Sequence, residues 1–187
     1  SGDQHWMDYS QPRRSWGSRE QYAALLAQRA FDAWKAIQHR SDATLQMREA
    51  KLTLGRRVPD AKRLAWATAL LDKMGNRKPK NLPEVYAREA RLLHEAPTAE
   101  LKLQAVRIGD PGIAAIPNEV YALTGLKIKA HSPLVPTMNI ELANGCEGYI
   151  PPPEQHPLGG YNTWPARTAG LEAAAETKIV EALLSLL

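Results

Sequence analysis

The sequence contains a single cysteine, Cys146, among its 187 residues. No disulfide can therefore form within the chain, and no zinc site built from several cysteines is possible. No apolar run approaches the roughly 18 residues that a membrane-spanning helix needs, so the sequence predicts no integral membrane segment. The apolar fraction of 44% and the charged fraction of 24% are typical of a globular chain that buries a core without disulfides.

The motifs of several common enzyme classes are also missing. There is no glycine-rich phosphate loop with Lys-Ser/Thr, no His-Glu-x-x-His pair and no Gly-x-Ser-x-Gly turn. The five histidines show no paired spacing typical of metal ligands. The chain begins Ser1-Gly2-Asp3, without Met or a signal peptide, which predicts that it has been processed, cloned or cut from something longer.

Charge is unevenly distributed along the chain. Residues 1–108 hold 20 basic and 12 acidic residues, a net charge of +8, whereas residues 109–187 hold 4 basic and 8 acidic residues, a net charge of −4. A basic half can indicate a nucleic acid or an anionic membrane surface as partner. The basic residues are dispersed, however, and no helix-turn-helix, finger or RNA-binding motif accompanies them. We therefore interpret them as solvated helix faces and predict no nucleic-acid partner.

Apolar periodicity predicts a helical first half and alternating strands and helices in the second half. Helices are expected over residues 18–39, 59–74 and 81–96, the first with a capping box at Ser18 and Gln21 and the second followed by Gly75. Strands are expected over 44–54, 101–108, 113–116 and 137–143, the second and third forming a hairpin. A helix that starts at Pro117-Asn118-Glu119 and a last helix over 168–187 complete the pattern. The predicted class is α/β, layered as in α+β proteins, with a mixed sheet flanked by helices.

Two polar segments directly follow predicted strands, where α/β proteins commonly bind ligands. Pro117-Asn118-Glu119 places a carboxylate at a strand-to-helix junction; the alternative is a first-turn glutamate that complements the helix dipole. The second segment runs from Asn144 to Tyr149, and its alternative is a turn with a packed tyrosine. If the two strand ends are neighbours, both segments converge on one site.

A third segment lies in the Gly- and Pro-rich region 144–166, a long irregular stretch of the kind that carries function. It contains Gly159-Gly160-Tyr161, followed by Trp164-Pro165-Ala166-Arg167. Glycines let the backbone approach a ligand closely, and a tyrosine hydroxyl can donate to a developing oxyanion. The alternative is a loop anchored by the two aromatic residues.

Together, the three segments resemble the neutral/alkaline (non-lysosomal) ceramidase family, zinc-dependent amidases that hydrolyse N-acyl bonds. Pro117-Asn118-Glu119 is similar to the family's strand that ends in Pro-Gly-Glu and supplies a carboxylate zinc ligand. Asn144 and the pair Tyr149-Ile150 resemble the family's Asn and its tyrosine zinc ligand. Tyr161, twelve residues further on, stands where the family has a tyrosine that assists at the scissile carbonyl.

The resemblance implies a zinc-dependent amide hydrolase in which Glu119 and Tyr149 are metal ligands and Tyr161 is a catalytic residue. Asn144, Gly160 and Trp164 are then expected to bind substrate. The start of the chain resembles the family's catalytic Gly-Asp-x-Ser segment, with His5 at the position of the serine. Asp3 and His5 are therefore expected to position water or to transfer a proton.

The family's other two zinc ligands are histidines from an amino-terminal half that this sequence does not contain. The chain, 1–187, is thus expected to be either a single domain or the carboxyl-terminal part of the catalytic domain of a ceramidase-like bacterial protein, inactive when isolated. The expected partners are an N-acylated amine or lipid-like substrate and the missing half or a second chain.

Two alternatives to this function stay open. One is a non-catalytic fragment or subunit that needs the missing half to complete its site. The other makes Ser1 an N-terminal nucleophile whose own amine acts as the base. Localisation is also open between an exported and a cytoplasmic protein, since family members are often exported whereas a single cysteine fits the cytoplasm.

Overall fold

A computed structural model describes residues 18–187 of the chain. They fall into two compact units that divide between Ala43 and Thr44. The first contains helix α1 (Arg19–Lys35). Its N-cap is Ser18, whose hydroxyl accepts from the Gln21 N–H while the Gln21 side chain accepts from the Ser18 N–H. The predicted capping box is confirmed, and the helix ends before the predicted residue 39.

The second unit, Thr44–Leu187, contains the sheet and the candidate site. Its elements in chain order are β1 (Leu45–Gly55), α2 (Ala61–Met74), α3 (Leu82–Glu95), β2 (Thr98–Ile108), β3 (Gly112–Ala115), β4 (Glu119–Val120), α4 (Ala122–His131), β5 (Thr137–Ile140), β6 (Tyr149–Ile150) and α5 (Ala175–Leu186). Two short 3-10 helices, Pro153–Leu158 and Arg167–Ala169, lie between β6 and α5.

The predicted mixed sheet flanked by helices is confirmed. Its four strands lie in the order β1-β2-β3-β5, with β1, β2 and β3 antiparallel and β3 parallel to β5. The antiparallel pair β2–β3 is the predicted hairpin. Because β3 and β5 are parallel, the segments that follow them leave the sheet at the same edge.

The core lies between the sheet and helices α4 and α5. In β2, alternate side chains from Ala99 to Ala105 are buried, as the period of two in a strand requires. Helix α5 buries Ile179 and Leu183 in the same core, and α4 buries Ile128. Helices α2 and α3 pack on each other around a separate small cluster: Ala67, Leu71, Ala87 and Ala90. None of the helices within residues 18–187 is long and apolar enough to cross a membrane.

Three predicted elements near the site differ from the structure. The helix predicted to start at Pro117-Asn118-Glu119 begins only at Ala122, because Glu119 and Val120 form β4 and pair with β6. The alternative of a first-turn Glu119 is therefore wrong. The strand predicted over 137–143 ends at Ile140, because Leu142 has a positive φ of 52°. The last helix starts at Ala175, not at 168.

Candidate functional site

The segments that follow β3 and β5 meet in a small parallel sheet formed by β4 and β6. In this pair Glu119 is opposite Tyr149 and Val120 is opposite Ile150. The Glu119 N–H donates to the Gly148 carbonyl oxygen at 3.0 Å. Since Val120 and Ile150 belong to the buried core, the alternation of side chains in a strand leaves Glu119 and Tyr149 together on the other, half-buried side.

Backbone hydrogen bonds fix these two strands to the turn that follows β5. The Leu142 N–H donates to the Asn118 carbonyl oxygen at 3.1 Å, and the Glu147 N–H donates to that of Pro117 at 2.8 Å. Asn118 is fully buried, and its side-chain amide donates to the Gly148 carbonyl oxygen at 3.1 Å. The position of Glu119 relative to Tyr149 is thus set by the surrounding backbone.

The side chains of Glu119, Tyr149 and Tyr161 form a contiguous group. Burial and a hydrogen bond donated by the Tyr149 hydroxyl to the Glu119 carboxylate raise the pKa of Tyr149 to about 12. The Tyr161 ring meets the Tyr149 ring edge to face, with 5.8 Å between centroids and 78° between planes. The structure therefore brings together the three residues that the resemblance to the ceramidase family singled out.

A cleft of about 490 Å³ opens beside this group. Its volume lies within the range of small-molecule sites. Glu119 and Tyr161 line the cleft, whereas Tyr149 contacts both of them without lining it. The other lining residues come from α3, from the turn before β6 and from the second 3-10 helix: Val85, Tyr86, Arg88, Glu89, Cys146, Gly148, Ala166, Arg167 and Thr168.

A buried carboxylate forms one wall of the cleft. Glu89 is 6% exposed and accepts three hydrogen bonds from Arg167: from its backbone N–H at 3.1 Å, from Nε at 2.9 Å and from Nη2 at 2.9 Å. The bonds from Arg167 hold the pKa of Glu89 below its usual range. The pair joins α3 to the second 3-10 helix and so closes the cleft on this side.

The other predicted site residues lie at varying distances from the cleft. The Gly160 carbonyl oxygen accepts from the Thr163 and Trp164 N–H groups, which forms a turn next to Tyr161. The Trp164 ring packs edge to face on Tyr86, with 5.7 Å between centroids.

The other predicted site residues either do not line the cleft or lie outside the residues that the structure describes. Asn144 is exposed, does not line the cleft, and donates from its side-chain amide to Gln104 Oε1 at 2.8 Å. Asp3, His5 and Ser1 lie outside residues 18–187, as do the aromatic residues near the start of the chain.

Sequence reasoning missed the contribution of α3 to the cleft. The helix is predicted from its apolar positions, which include Val85, at the cleft, and the buried Leu93. Glu89 lies four residues after the first and four before the second, so it shares their helical face. A buried carboxylate on an apolar face needs a positively charged or hydrogen-bonding partner. The position of Glu89 in the sequence could therefore have indicated a partner such as Arg167 and a polar site beside the helix.

The Glu119 carboxylate is an oxygen ligand of the kind that zinc takes, and the Tyr149 phenol oxygen lies beside it. Within residues 18–187, no three His, Cys, Asp or Glu side chains are grouped closely enough to hold a metal ion. The pair can therefore supply some ligands of a metal site, while the described part of the chain does not provide a complete set.

Comparisons with known proteins give a structural likeness only. No family model and no curated protein sequence matches the chain. The crystal structure of neutral ceramidase from Pseudomonas aeruginosa is similar over 90% of this chain and 31% of its own, with 14% identity and a TM-score of 0.55. A structure of a ceramidase complexed with C2 matches 46% of this chain and 14% of its own, with 16% identity and a TM-score of 0.41.

At 14% identity, the likeness to the Pseudomonas aeruginosa neutral ceramidase shows a shared fold alone. We conclude nothing from the likeness to the other ceramidase, whose TM-score is 0.41. The chain spans about a third of the length of the Pseudomonas aeruginosa neutral ceramidase.

Proposed function

We propose that Glu119, Tyr149 and Tyr161 form part of the active site of a zinc-dependent amide hydrolase of the neutral ceramidase type. The pairing of β4 with β6 carries this proposal, because it places Glu119 opposite Tyr149, with Tyr161 against the tyrosine ring. The residues resemble the family's motifs in sequence. The fold shared with the Pseudomonas aeruginosa neutral ceramidase supports the same assignment.

In this proposal the Glu119 carboxylate and the Tyr149 phenol would hold the zinc ion. When bound, zinc supplies an electrophile for the amide carbonyl and lowers the pKa of a water molecule. Two oxygen ligands are too few for a stable zinc site, which has three or four protein ligands. Two histidines from outside residues 18–187 are therefore part of the proposal, in keeping with the family that the sequence resembles.

Tyr161 is proposed to act directly on the substrate. Its side chain lines the cleft and is 58% exposed, so its hydroxyl is accessible to a bound amide. A hydroxyl that donates to the carbonyl oxygen as negative charge develops stabilises the transition state by about 3–4 kcal/mol in sites of this kind. For His5 and Asp3 we propose the proton transfers to and from water and the leaving amine.

We propose that the remaining predicted residues bind the substrate or hold the site's turns in place. Gly160 and Trp164 flank Tyr161 in the chain, and Trp164 packs on Tyr86, which lines the cleft. We propose that these two contact the substrate, an N-acylated amine or lipid-like amide. Asn144 is hydrogen-bonded to Gln104, and we propose that it holds the turn before β6 in place.

The second candidate is a non-catalytic role for this chain, as a subunit or part of a protein whose site is completed elsewhere. It is favoured by the absence of a three-residue metal cluster among residues 18–187. The chain also spans only 31% of the length of the Pseudomonas aeruginosa neutral ceramidase. The two candidates differ in whether the whole gene product hydrolyses an amide.

Hydrolysis of a short N-acyl amide by the whole, zinc-loaded gene product tests the proposal. We expect Tyr161→Phe to lower kcat/KM by about 100-fold, the size of effect seen when one oxyanion donor is removed. Glu119→Gln should lower it by at least about tenfold, because it weakens zinc binding. Tyr22→Phe is the matched control, since Tyr22 lies on α1 and is 50% exposed. A folded, zinc-loaded product without amidase activity would contradict the proposal and favour the non-catalytic role.

A further inference from the structure

Arg88 is a cationic side chain whose hydrogen bonding within residues 18–187 is incomplete. It lies on α3 and lines the cleft. Its Nε is shielded from solvent and has no hydrogen-bond partner. A buried donor that has lost water without gaining an acceptor costs free energy. The side chain as a whole is 41% exposed.

The neighbouring carboxylate does not satisfy Arg88. The Arg88 Nη2 to Glu89 Oε1 distance is 3.4 Å, longer than a good charged hydrogen bond. Glu89 already accepts three shorter bonds from Arg167. Arg88 also lowers the pKa of Glu89 less than Arg167 does. The negative charge of Glu89 is therefore directed mainly to Arg167.

The cleft beside the proposed reaction centre combines apolar walls with charged side chains. Val85, Tyr86 and Ala166 are among its apolar and aromatic lining, and Arg88, Arg167, Glu89 and Glu119 are its charged lining. Glu119 shares the cleft, but its carboxylate accepts from Tyr149. An anionic group that enters the cleft would therefore meet a partly exposed guanidinium whose bond to Glu89 is long, and a charge-assisted hydrogen bond to it would be stronger than a neutral one.

We propose that the cleft binds an N-acylated amine that carries an anionic oxygen group, a carboxylate or a phosphate, and that Arg88 selects for this group. The planar guanidinium fits either anion with two parallel hydrogen bonds. The inference deepens the proposed function, and its amide component rests on that function. It predicts a preference for acidic N-acyl amines over neutral ones of the same acyl chain.

Equilibrium binding to the 187-residue chain tests this preference without requiring catalysis. Calorimetric titrations would compare N-hexanoylglycine, N-hexanoyl-O-phosphoethanolamine and the neutral N-hexanoylethanolamine at 0.15 M salt. We expect at least one acidic ligand to bind about tenfold or more tightly than the neutral one, the scale of a charged hydrogen bond. The better of the two acidic ligands identifies the anion. Equal affinities, or no binding of either acidic ligand, would overturn the inference.

Variants on one helix provide the control. In Arg88→Gln the ratio of acidic to neutral affinity should fall to about one. Arg91→Gln should keep the ratio of the unmodified chain, because Arg91 does not line the cleft. Its side chain is 53% exposed, and its Nε lies 3.7 Å from Glu95 Oε1. A ratio that survives in Arg88→Gln would overturn the inference. Circular dichroism measures whether both variants fold. If one does not, the comparison of the three ligands on the unmodified chain still tests the preference.

The outcome for the proposed function is read separately, from hydrolysis by the whole gene product. Hydrolysis of N-hexanoylethanolamine with no acidic preference in binding would support the amidase and overturn the role of Arg88. An acidic preference that depends on Arg88, in a product that hydrolyses none of the three amides, would support the anion site and contradict the amidase.

Discussion

Replacing Gly148 with alanine should disrupt the junction that holds Glu119 opposite Tyr149. Gly148 precedes β6, and its carbonyl oxygen accepts from the Glu119 N–H and from the side chain of Asn118. Its φ is +75°, and a Cβ would lie 2.4 Å from the carbonyl oxygen of Thr168 and 2.5 Å from its carbonyl carbon. These are backbone atoms of the 3-10 helix Arg167–Ala169, so no side-chain rotation can relieve the overlap.

The expected loss of stability has two components. A positive φ costs a residue with a Cβ about 1–2 kcal/mol, and the backbone shift that relieves an overlap costs about 1–3 kcal/mol more. Gly148→Ala should therefore lower the free energy of unfolding by about 2–5 kcal/mol, out of the roughly 5–15 kcal/mol of a typical domain. Gly75→Ala is the matched control: its φ is +60° and no atom lies within 4 Å of the added Cβ. It should show the backbone strain without the overlap, about 1–3 kcal/mol, because a φ of 60° with a ψ of −145° is a conformation that glycine almost alone adopts.

Urea unfolding followed by circular dichroism measures the difference. With a slope of about 2 kcal/mol per molar urea, Gly148→Ala should lower the midpoint by roughly 1–2.5 M. Gly75→Ala should lower it by roughly 0.5–1.5 M under the same slope. Equal shifts for the two variants would refute the close approach of Gly148 to Thr168.

Two further predictions concern stability away from the site. Arg77 holds the pKa of Glu84 at about 2, below its ordinary value of 4.5, so the pair's contribution is full above pH 4.5 and is lost as the pH falls toward 2. Urea midpoints across this window should fall less steeply for Glu84→Gln, and parallel curves would contradict the pairing. Leu103→Ala should lower the free energy of unfolding by about 2–5 kcal/mol, because Leu103 is fully buried. Leu45→Ala, at a side chain 73% exposed, should change it by under about 0.5 kcal/mol; similar losses would contradict the burial pattern of the sheet.

Local signals in the sequence were sufficient for most of the main elements. The capping box at Ser18 depends on two residues three positions apart, and the hairpin β2–β3 on two strands joined by a short turn. In both cases the interacting groups are neighbours in the chain, so their pattern is visible there. The mixed sheet followed from the order of the predicted strands, although the parallel pairing of β3 with β5 was not itself predicted.

The short sheet beside the site could not be predicted in the same way. β4 and β6 have two residues each, too few for any alternation of polar and apolar side chains. Their pairing depends on bonds between segments about thirty residues apart, such as Glu119 N–H to Gly148 O. The helical prediction for Glu119 failed because this tertiary contact overrides the local preference.

The candidate site was predictable only in part for the same reason. Glu119, Tyr149 and Tyr161 were singled out through the resemblance to a family, which supplied long-range information that spacing alone lacks. Arg88 and Glu89 come from α3, and their position in the cleft depends on how that helix packs against the second 3-10 helix. Such packing is set by side chains from distant segments of the chain. In the sequence it is indicated only by Glu89, a charged residue on the apolar face of the helix.

Our proposal that Glu119 and Tyr149 together bind a metal ion is best tested by a zinc titration of the whole gene product, which would supply the two further histidines. Competition with a chromophoric chelator would give the zinc affinity of the unmodified gene product, of Glu119→Gln and of the control Glu100→Gln. Glu100 is an exposed partner of Lys51 in the main sheet.

We predict that Glu119→Gln weakens zinc binding by at least about tenfold, the smaller end of the effects seen around metal sites, and that Glu100→Gln leaves it unchanged. An affinity that is the same in all three proteins would contradict the claim.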